Sequence, residues 1–378
     1  MRAGHLHLAY CTNVHPAEDL AGIVAQLDRF AVPVRKELGV DVLGLGLWLA
    51  APVAAALAAD AGLRAKFKHE LTSRGLETVT FNGFPYEAFQ APVVKYGVYY
   101  PDWTDEQRLR YTLDLATVLA DLLPDDAVRG SISTLPLAWR TPWDAERANA
   151  AHANLNALAA GLRQLPRLIR VAFEPEPGCL IETTADAITH LRPAAAWREG
   201  AGIDLHGWEG IDTGHLGVCV DLAHLACAWE EPKVALKALE EAGIPVVKAQ
   251  ISAALEVADP DRARAVLESY VEPRFLHQTR AQGGDAFDDL PQALEAQADG
   301  PWRVHFHAPI HAAALEPLST SVDVLTEGID ALVAAGVDHL EVETYTWGVL
   351  PAASRPVTDR DLARGIAAEL RFLKERVS

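Results

Sequence analysis

A short apolar run that ends in an acid and two prolines is the feature that most constrains the fold of this chain. Residues 169–177 read IRVAFEPEP, so strand-forming residues lead directly into Glu174. Pro175 and Pro177 end the strand, because proline has no N–H for the hydrogen-bonded ladder. A carboxylate is costly inside a core, so a buried strand that ends in one indicates a functional site.

Three later runs repeat this design. They read VCVD at 218–221, VHFH at 304–307 and LEVETY at 340–345, and each places an acid or an imidazole near the end of an apolar stretch. In a parallel barrel the carboxyl ends of the strands meet at one mouth, where the catalytic residues of that architecture lie. The four runs together therefore predict one polar site built from several strands.

Strand-like and helix-like runs alternate along the chain, which predicts a parallel sheet. The predicted strands are 5–10, 42–49, 77–84, 130–135, 168–173, 215–220, 246–252, 274–279, 302–308 and 339–346. The predicted helices are 19–38, the segment from Pro52, 61–73, 105–123 with Thr104 as its N-cap, 145–165, 184–191, 233–242 and 357–377. A long aromatic loop at 86–103 and a polar, glycine-rich excursion at 199–214 interrupt the alternation.

Eight strand–helix units close a barrel, and we predict an α/β fold with a single (β/α)8 TIM-barrel domain over residues 1–378. The strand count exceeds eight, so we assign 274–279 and one other short strand to an insertion between strands seven and eight. A doubly wound sheet is the alternative, and it is weaker because no GxGxxG follows the first strand.

Composition bounds the partners and the compartment. The formal net charge of −19 argues against a nucleic-acid backbone or an anionic membrane surface. The four cysteines form no CxxC pair, which predicts buried thiols in a reducing cytoplasm. The uncharged stretch 42–59 reaches the lower length of a membrane span, but its alternating glycines and Pro52 indicate a buried strand, a turn and a helix. The N-terminus carries two histidines where a signal peptide would be apolar.

Three acids are predicted to converge at the barrel mouth: Glu174, Asp221 and Glu343. Neighbouring carboxylates repel one another unless a cation binds them, so we expect a divalent metal ion there. Oxygen-rich ligation with one nitrogen favours Mn²⁺, Mg²⁺ or Co²⁺ over a thiolate-preferring ion, and Zn²⁺ is kept as a fourth candidate.

Other polar residues near strand ends are candidate contacts for metal or substrate. His224 lies one turn after Asp221 and has three open roles: metal ligand, substrate contact or helix cap. Lys248 and Gln250 alternate along one strand, so both face the same side and suggest substrate or metal contact. Further candidate substrate contacts are Asn82, Lys95, Arg280 and Trp347, with the aromatic loop 86–103 as an apolar lid.

The acid-bearing motifs resemble the metal-bearing strand ends of the xylose-isomerase-like TIM-barrel superfamily of sugar isomerases and epimerases. The motifs are FEPEP at 173–177, VCVDLAH at 218–224 and VETYTW at 342–347. The resemblance implies that Glu174, Asp221 and Glu343 are metal ligands. It also implies that the two glutamates move a proton between adjacent carbons of a substrate.

The chain departs from that superfamily on strand seven. The resemblance matches His224 to the histidine that follows the aspartate, but the family's remaining histidine ligand falls on Gln250. Three interpretations stay open: Gln250 ligates weakly, His305 or His307 takes the role, or the metal site is degraded.

A closer resemblance covers nearly the whole chain and is to the EboE-type metabolite-traffic proteins, a branch of the same superfamily. The motifs are HLAYCTNVHP at 7–16, FNGFPY at 81–86, YYPDW at 99–103, GSISTLP at 130–136 and VHFHAPI at 304–310. This branch is associated with the movement of prenylated or aromatic metabolites. The resemblance implies an isomerase-like protein whose partner is a small molecule, either polyol or sugar-like or a prenylated or aromatic metabolite; homo-oligomerisation is left open.

Two other functions are kept as alternatives. His5 and His7 form an HxH on the first strand that resembles the start of amidohydrolase barrels, which suggests a metal-dependent hydrolase. This ranks lower, because the last strand ends in Glu343 where such hydrolases use an aspartate. The other alternative is a non-catalytic metabolite-binding or transport-associated barrel, favoured by Gln250 in place of a histidine.

Overall fold

Eight parallel strands close into a barrel in the computed structural model, which describes residues 1–193, 210–296 and 300–378. The strands, in chain order, are β1 Arg2–Ala3, β2 Leu6–Cys11, β3 Leu43–Leu47, β4 Leu76–Asn82, β5 Gly130–Thr134, β6 Ile169–Phe173, β7 Leu216–Asp221, β8 Val246–Ile251, β9 Ala253–Val257, β10 Thr279–Ala281, β11 Ala286–Phe287, β12 Trp302–Ala308, β13 Ser319–Thr320 and β14 His339–Val342. The barrel runs β2-β14-β8-β7-β6-β5-β4-β3, and β3 pairs back to β2. The predicted TIM barrel is confirmed.

Helices cover the outside of the barrel. They are α1 Leu20–Gln26, α2 Val32–Leu38, α3 Ala51–Ala59, α4 Ala61–Thr72, α5 Glu106–Leu122, α6 Ala145–Leu162, α7 Thr184–His190, α8 Leu222–Cys227, α9 Pro232–Glu241, α10 Pro260–Leu267, α11 Leu290–Ala296, α12 Val322–Ala334 and α13 Asp359–Val377. A π-helical turn at Leu27–Ala31 joins α1 to α2, so the predicted helix 19–38 is continuous. The sequence analysis missed α8, α10, α11 and α12.

The predicted insertion between the last two barrel strands is present. A second, antiparallel sheet of five strands, in the order β11-β10-β12-β9-β13, lies in sequence between β8 and β14. The predicted strand 302–308 has the predicted bounds and belongs to this second sheet. The predicted strand 274–279 is wrong, because the chain pairs with β12 only from Thr279 to Ala281.

The predicted N-cap of α5 is wrong. Thr104 is not the N-cap of α5: the Asp105 side chain accepts a hydrogen bond from Gln107 N, whereas the Thr104 hydroxyl donates to Asp102. Most of the glycine-rich excursion at 199–214 lies outside the described residues.

The stretch 42–59 forms β3 and then α3, as predicted. Among the helices of the described residues, none is long and apolar enough to cross a bilayer.

A buried ion pair lies inside the barrel. Lys248 on β8 contacts Glu341 on β14, and both side chains are fully buried. Gly46 on β3 makes room for the pair, because a Cβ there would lie 1.5 Å from Glu341 Oε1. Burial lowers the pKa of Lys248, but its neighbours, led by the Glu341 carboxylate, together raise it by more, so the pKa stays above its usual value and the amine stays charged.

Candidate metal centre at the barrel mouth

The predicted acids converge at the carboxyl ends of the strands. Glu174 directly follows β6, Asp221 ends β7 and Glu343 directly follows β14. All three are buried, with 2–4% of their surface exposed. Potential ligand atoms of Glu174, Asp221 and His224 lie within 4.8 Å of one another, and so do those of Asp221, His307 and Glu343.

The electrostatics of this cluster fit a bound cation. Burial, followed by the charges of Glu343 and Asp221, raises the pKa of Glu174 well above its usual value. Burial, followed by the charges of Asp221 and Glu341, does the same to the pKa of Glu343. Glu174 Oε2 and Asp221 Oδ2 are also buried without a hydrogen-bond partner. Like charges with unpartnered oxygens are the environment that a divalent ion stabilises.

Gln250 presents a second kind of unpartnered group. It lies in register with Asp221 on β7, on the same face of β8 as Lys248, and it is fully buried. Neither its amide oxygen nor its amide nitrogen has a hydrogen-bond partner. A buried amide left unpaired costs about 1–3 kcal/mol, so the oxygen is available as a ligand at that position.

Two asparagine side chains hold Glu343 in place. Asn13 Nδ2 and Asn82 Nδ2 each donate to Glu343 Oε1 at 2.7 Å, and Asn82 Oδ1 accepts from Phe84 N. Asn82 was predicted as a substrate contact, and the structure uses its amide to orient the glutamate. The sequence analysis missed Asn13, although it lies in the motif at 7–16 that follows the first strand.

Three imidazoles lie beside the carboxylates. His224 comes from α8, at the end of barrel strand β7, whereas His305 and His307 come from β12 of the insertion. His307 Nε2 lies 3.7 Å from Asp221 Oδ2, and His224 Nε2 lies 3.9 Å from Asp221 Oδ1. The Asp221 side chain also caps α8 by accepting from His224 N, so the helix-cap role falls to the aspartate.

A cavity opens above the cluster. Its lining includes polar groups, among them Glu174, Glu343 and the imidazoles. The lining also includes an aromatic wall: Phe84, Phe89, Tyr99, Phe275 and Tyr345. The aromatic loop 86–103 contributes Phe89 and Tyr99 to this wall, in agreement with the predicted lid, whereas Trp103 packs on Phe173 in the core.

Of the predicted basic and aromatic substrate contacts, Lys95 lines the cavity, whereas Lys248, Arg280 and Trp347 do not. Lys95 lines the cavity, but its Nζ donates to Asp289 at 2.6 Å and to Phe275 O at 2.7 Å. Lys248 is corrected to a structural role, because it is sealed in the pair with Glu341.

Trp347 and Arg280 are corrected as well. Trp347 Nε1 donates to Glu369 Oε2, and the ring packs where a Cβ at Gly365 would sit. Arg280 forms an ion pair with Glu182, with one contact at 2.5 Å and one at 2.9 Å. Neither Trp347 nor Arg280 is among the described residues that line the cavity.

The sequence analysis missed one further buried acid, Glu176. Glu176 lines the cavity and accepts a 2.6 Å hydrogen bond from the Tyr99 hydroxyl. Burial raises its pKa to about 8, although the Tyr99 hydrogen bond opposes the rise. Its place in the FEPEP motif, two residues after Glu174, was the available signal.

The HxH histidines lie at the other end of the barrel. His5 is exposed, and His7 packs edge-on against His339 at the start of β14. Glu343 follows His339 by four residue steps along the strand, a distance of roughly 13 Å. The structure therefore does not bring these histidines to the cluster, and the hydrolase alternative loses its supporting motif.

Comparisons with known proteins find the fold but no close relative. No protein-family model matches the chain, and no curated protein matches it. Among solved structures, a xylose isomerase-like TIM barrel protein from Mycobacterium smegmatis in complex with magnesium is 13% identical, with a TM-score of 0.55 over 100% of both chains. The fold is that of the xylose isomerase-like TIM barrels.

Two further structures agree with this fold. A D-tagatose 3-epimerase-like protein is 12% identical with a TM-score of 0.51, and it is covered over 99% of its length by 98% of this chain. The IOLI protein with a binding zinc atom is 11% identical, with the same TM-score and the same coverage. At these identities the similarity shows the fold, and function is argued from the site.

Proposed function

We propose that this protein is a metal-dependent isomerase or epimerase of the sugar-isomerase type. The observation that carries the proposal is the pair of buried glutamates, Glu174 and Glu343, which face one cavity beside Asp221. A binding protein needs no such pair, whereas moving a proton between adjacent carbons needs one group to take it and another to return it.

Glu174, Asp221, Gln250 and Glu343 would hold the cation. All four offer oxygen, and three of them carry buried polar atoms without a hydrogen-bond partner. An oxygen set of this kind favours Mg²⁺ or Mn²⁺ over Co²⁺ or Zn²⁺. His307 stands at the border of the set, 3.7 Å from Asp221 Oδ2. When bound, a divalent cation supplies a Lewis acid that stabilises negative charge developing on a substrate oxygen.

The protein's own residues would carry the proton. One glutamate, as the carboxylate, removes a proton from the carbon next to a carbonyl, and the other, as the neutral acid, donates its own proton to the neighbouring carbon. Asn13 and Asn82 hold Glu343 by one oxygen and so orient the other. The aromatic wall limits the access of bulk water to the reacting groups.

The cavity indicates a substrate with a polar and an apolar part. Its acids and imidazoles suit a hydroxyl- or carbonyl-bearing group, and its aromatic wall suits a hydrophobic group. This supports a sugar-like head with a prenylated or aromatic part, and EboE-type proteins are associated with the movement of prenylated or aromatic metabolites.

The motifs shared with EboE-type proteins support the same assignment to a metabolite-traffic pathway. Four of the five contribute residues to the cavity wall: 7–16, 81–86, 99–103 and 304–310. A cytoplasmic location is part of the proposal, supported by four cysteines that are buried free thiols. Homo-oligomerisation remains a prediction.

A non-catalytic, metabolite-binding barrel is the second candidate, supported by the aromatic wall and by Gln250. The first experiment is the metal content of full-length protein purified without added metal or chelator. About one equivalent of Mn, Mg, Co or Zn that is lost in Glu174→Gln would support the enzyme. Absence of metal, even after soaking with each ion, would overturn the isomerase proposal and favour the binding protein.

The decisive experiment follows solvent deuterium into substrate. Metal-loaded protein is incubated in D₂O with a panel of ketoses and aldoses, and carbon-bound deuterium is read by NMR. We expect exchange with wild type and loss of about 100-fold or more in Glu174→Gln and Glu343→Gln. Glu369→Gln is the matched control, because Glu369 is an equally buried glutamate whose carboxylate faces Thr344 and Trp347 instead of the cavity.

A further inference from the structure

Three histidine nitrogens meet where the insertion joins the barrel. His224 Nε2 lies 3.0 Å from His305 Nε2 and 3.4 Å from His307 Nε2, and the last two are 3.3 Å apart. All three rings are buried, with at most 5% of their surface exposed. Whether hydrogen bonds connect these three Nε2 atoms depends on which ring nitrogens carry the imidazole protons.

Two of the rings carry their proton on Nδ1 instead of Nε2. His224 Nδ1 lies 2.8 Å from Pro175 O, and His307 Nδ1 lies 2.8 Å from Glu343 O. A backbone carbonyl only accepts hydrogen bonds, so both Nδ1 atoms donate. The Nε2 atoms of these neutral rings therefore carry lone pairs.

The third ring has the same tautomer. His305 Nδ1 lies 2.7 Å from Gln278 Oε1. The amide cannot be reversed without loss, because Gln278 Nε2 donates to Pro177 O at 2.9 Å and to the Tyr99 hydroxyl at 2.8 Å. Gln278 Oε1 is thus an acceptor, and His305 also donates through Nδ1.

Three lone pairs therefore face one another at hydrogen-bonding distance with no proton among them. A protonated ring would relieve the repulsion, but all three rings are buried, and a charged imidazole is costly away from water. The Tyr345 hydroxyl, 3.3 Å from His305 Nε2, can match one lone pair, and the other two still face each other. A cation is the remaining way to satisfy all three.

The spacing fits a tetrahedral metal ion. Nitrogens bound to Zn²⁺ at about 2.1 Å in a tetrahedron lie roughly 3.4 Å apart, close to the separations found here. Asp221 supplies a neighbouring oxygen, since its Oδ2 has no hydrogen-bond partner and lies 3.7 Å from His307 Nε2.

We propose that His224, His305 and His307 form a site for a Zn²⁺-type transition-metal ion, bound through their Nε2 atoms and separate from the oxygen-bound cation. Each Nε2 serves one ion, so the imidazoles bind the nitrogen-preferring metal and leave Glu174, Glu343 and Gln250 to the other, with Asp221 between the two sites. Two ligands come from the insertion and one from the barrel, so the ion ties the insertion across the mouth. The site stands whether or not the glutamates transfer protons.

The test is metal binding to full-length protein that has been stripped with a chelator. Zn²⁺ or Co²⁺ is added alone and bound metal is measured by equilibrium dialysis; the visible spectrum of bound Co²⁺ reports nitrogen-rich tetrahedral ligation. We expect one tight equivalent in wild type. In His305→Gln the affinity should fall by more than the roughly 10–100-fold that loss of an outer-sphere partner costs.

His277→Gln is the matched control. His277 is a buried histidine of the same insertion, but its ring contacts Glu272 at 3.0 Å and the backbone of His305 instead of the cluster. The His277→Gln variant should bind Zn²⁺ with the same affinity as the wild type. His307→Gln provides a second variant, and melting curves without metal establish that each variant folds.

Glu174→Gln separates this site from the proposed catalytic ion. It should retain Zn²⁺ and Co²⁺ binding and lose Mg²⁺ or Mn²⁺, whereas His305→Gln should show the reverse. Unchanged Zn²⁺ affinity in folded His305→Gln would overturn the three-histidine site. Equal loss of Zn²⁺ in both variants would mean one shared site and would overturn the proposal of two. None of these measurements depends on enzymatic activity. Their outcome is therefore independent of whether the isomerase proposal fails.

Discussion

Two layers of buried polar side chains face the inside of the same barrel, and they differ in how their charges are balanced. In the inner layer, Lys248 and Glu341 form a mutual ion pair with no surface exposed. Two residues farther along the same strands, roughly 7 Å nearer the mouth, Gln250 and Glu343 join Glu174 in a layer rich in unpartnered atoms and like charges. Compensated charge serves the fold, and uncompensated charge indicates a ligand.

The comparison also explains why similar sequence patterns have different roles. Glu341 and Glu343 belong to one run, and Lys248 and Gln250 to another, so periodicity puts each pair on one face. What separates the members of each pair is depth in the barrel. Gly46 marks the inner layer, because only a residue without a side chain leaves space for the Glu341 carboxylate.

Breaking the inner pair should have the largest effect. Lys248→Met leaves Glu341 as a buried, unpaired charge, and we expect a loss of about 3–5 kcal/mol in the free energy of unfolding. Urea denaturation of metal-free protein measures it. The double variant Lys248→Met/Glu341→Gln should recover much of this loss, and a single variant that costs less than about 1 kcal/mol would contradict the structural role.

Glu369 sharpens the comparison, because it is a buried carboxylate with three neutral donors. It accepts from the Thr344 hydroxyl, Ile310 N and Trp347 Nε1, yet burial still raises its pKa from 4.5 to about 7. An acid whose pKa is raised on folding binds more protons in the folded state between these two values. Stability should therefore fall as pH rises from about 4.5 to about 7, by roughly 3 kcal/mol for this group.

Glu369→Gln removes that titration. The difference in unfolding free energy between wild type and variant, measured by urea denaturation across this pH window, should shift in favour of the variant as pH rises. A difference that does not change with pH would show that the folded and unfolded states titrate this carboxyl alike.

Filling the space beside the inner pair should have a smaller effect. Gly46→Ala places a Cβ against the Glu341 carboxylate and forces it to move, for which we expect a loss of about 1–3 kcal/mol. Gly283→Ala is the control, because no atom lies within 4 Å of a Cβ there. Equal melting temperatures for the two variants would show that the barrel accommodates the methyl group.

The outer layer should tolerate substitution best in the absence of metal. Glu174→Gln replaces a buried carboxyl, whose Oε2 has no hydrogen-bond partner to lose, with an amide of the same shape, so unfolding free energy at pH 7 should change by less than about 1 kcal/mol. Thermal unfolding with and without Mg²⁺ is the measurement, and stabilisation by the ion should be lost in the variant. A cost comparable to that of Lys248→Met would place Glu174 with the structural layer.

Much of this architecture was readable from the sequence because it depends on local pattern. Alternating strands and helices predicted the barrel, surplus strands predicted the insertion, and an acid directly after an apolar run predicted Glu174, Asp221 and Glu343 at one mouth. That residues 1–378 form one domain remains a prediction. The missed contacts, such as Asn13 with Glu343 and Tyr99 with Glu176, join segments 330 and 77 residues apart, and no local pattern specifies such pairs.

The sequence by itself determined which residue types stand at strand ends, because strand period and proline placement are properties of neighbouring residues. The tertiary structure decided their partners. It paired Lys248 with Glu341, left Gln250 without a partner, and brought His305 and His307 of the insertion against His224 of the barrel. The physical reason is that depth and charge balance are set by contacts between distant strands, and these exist only when the barrel closes.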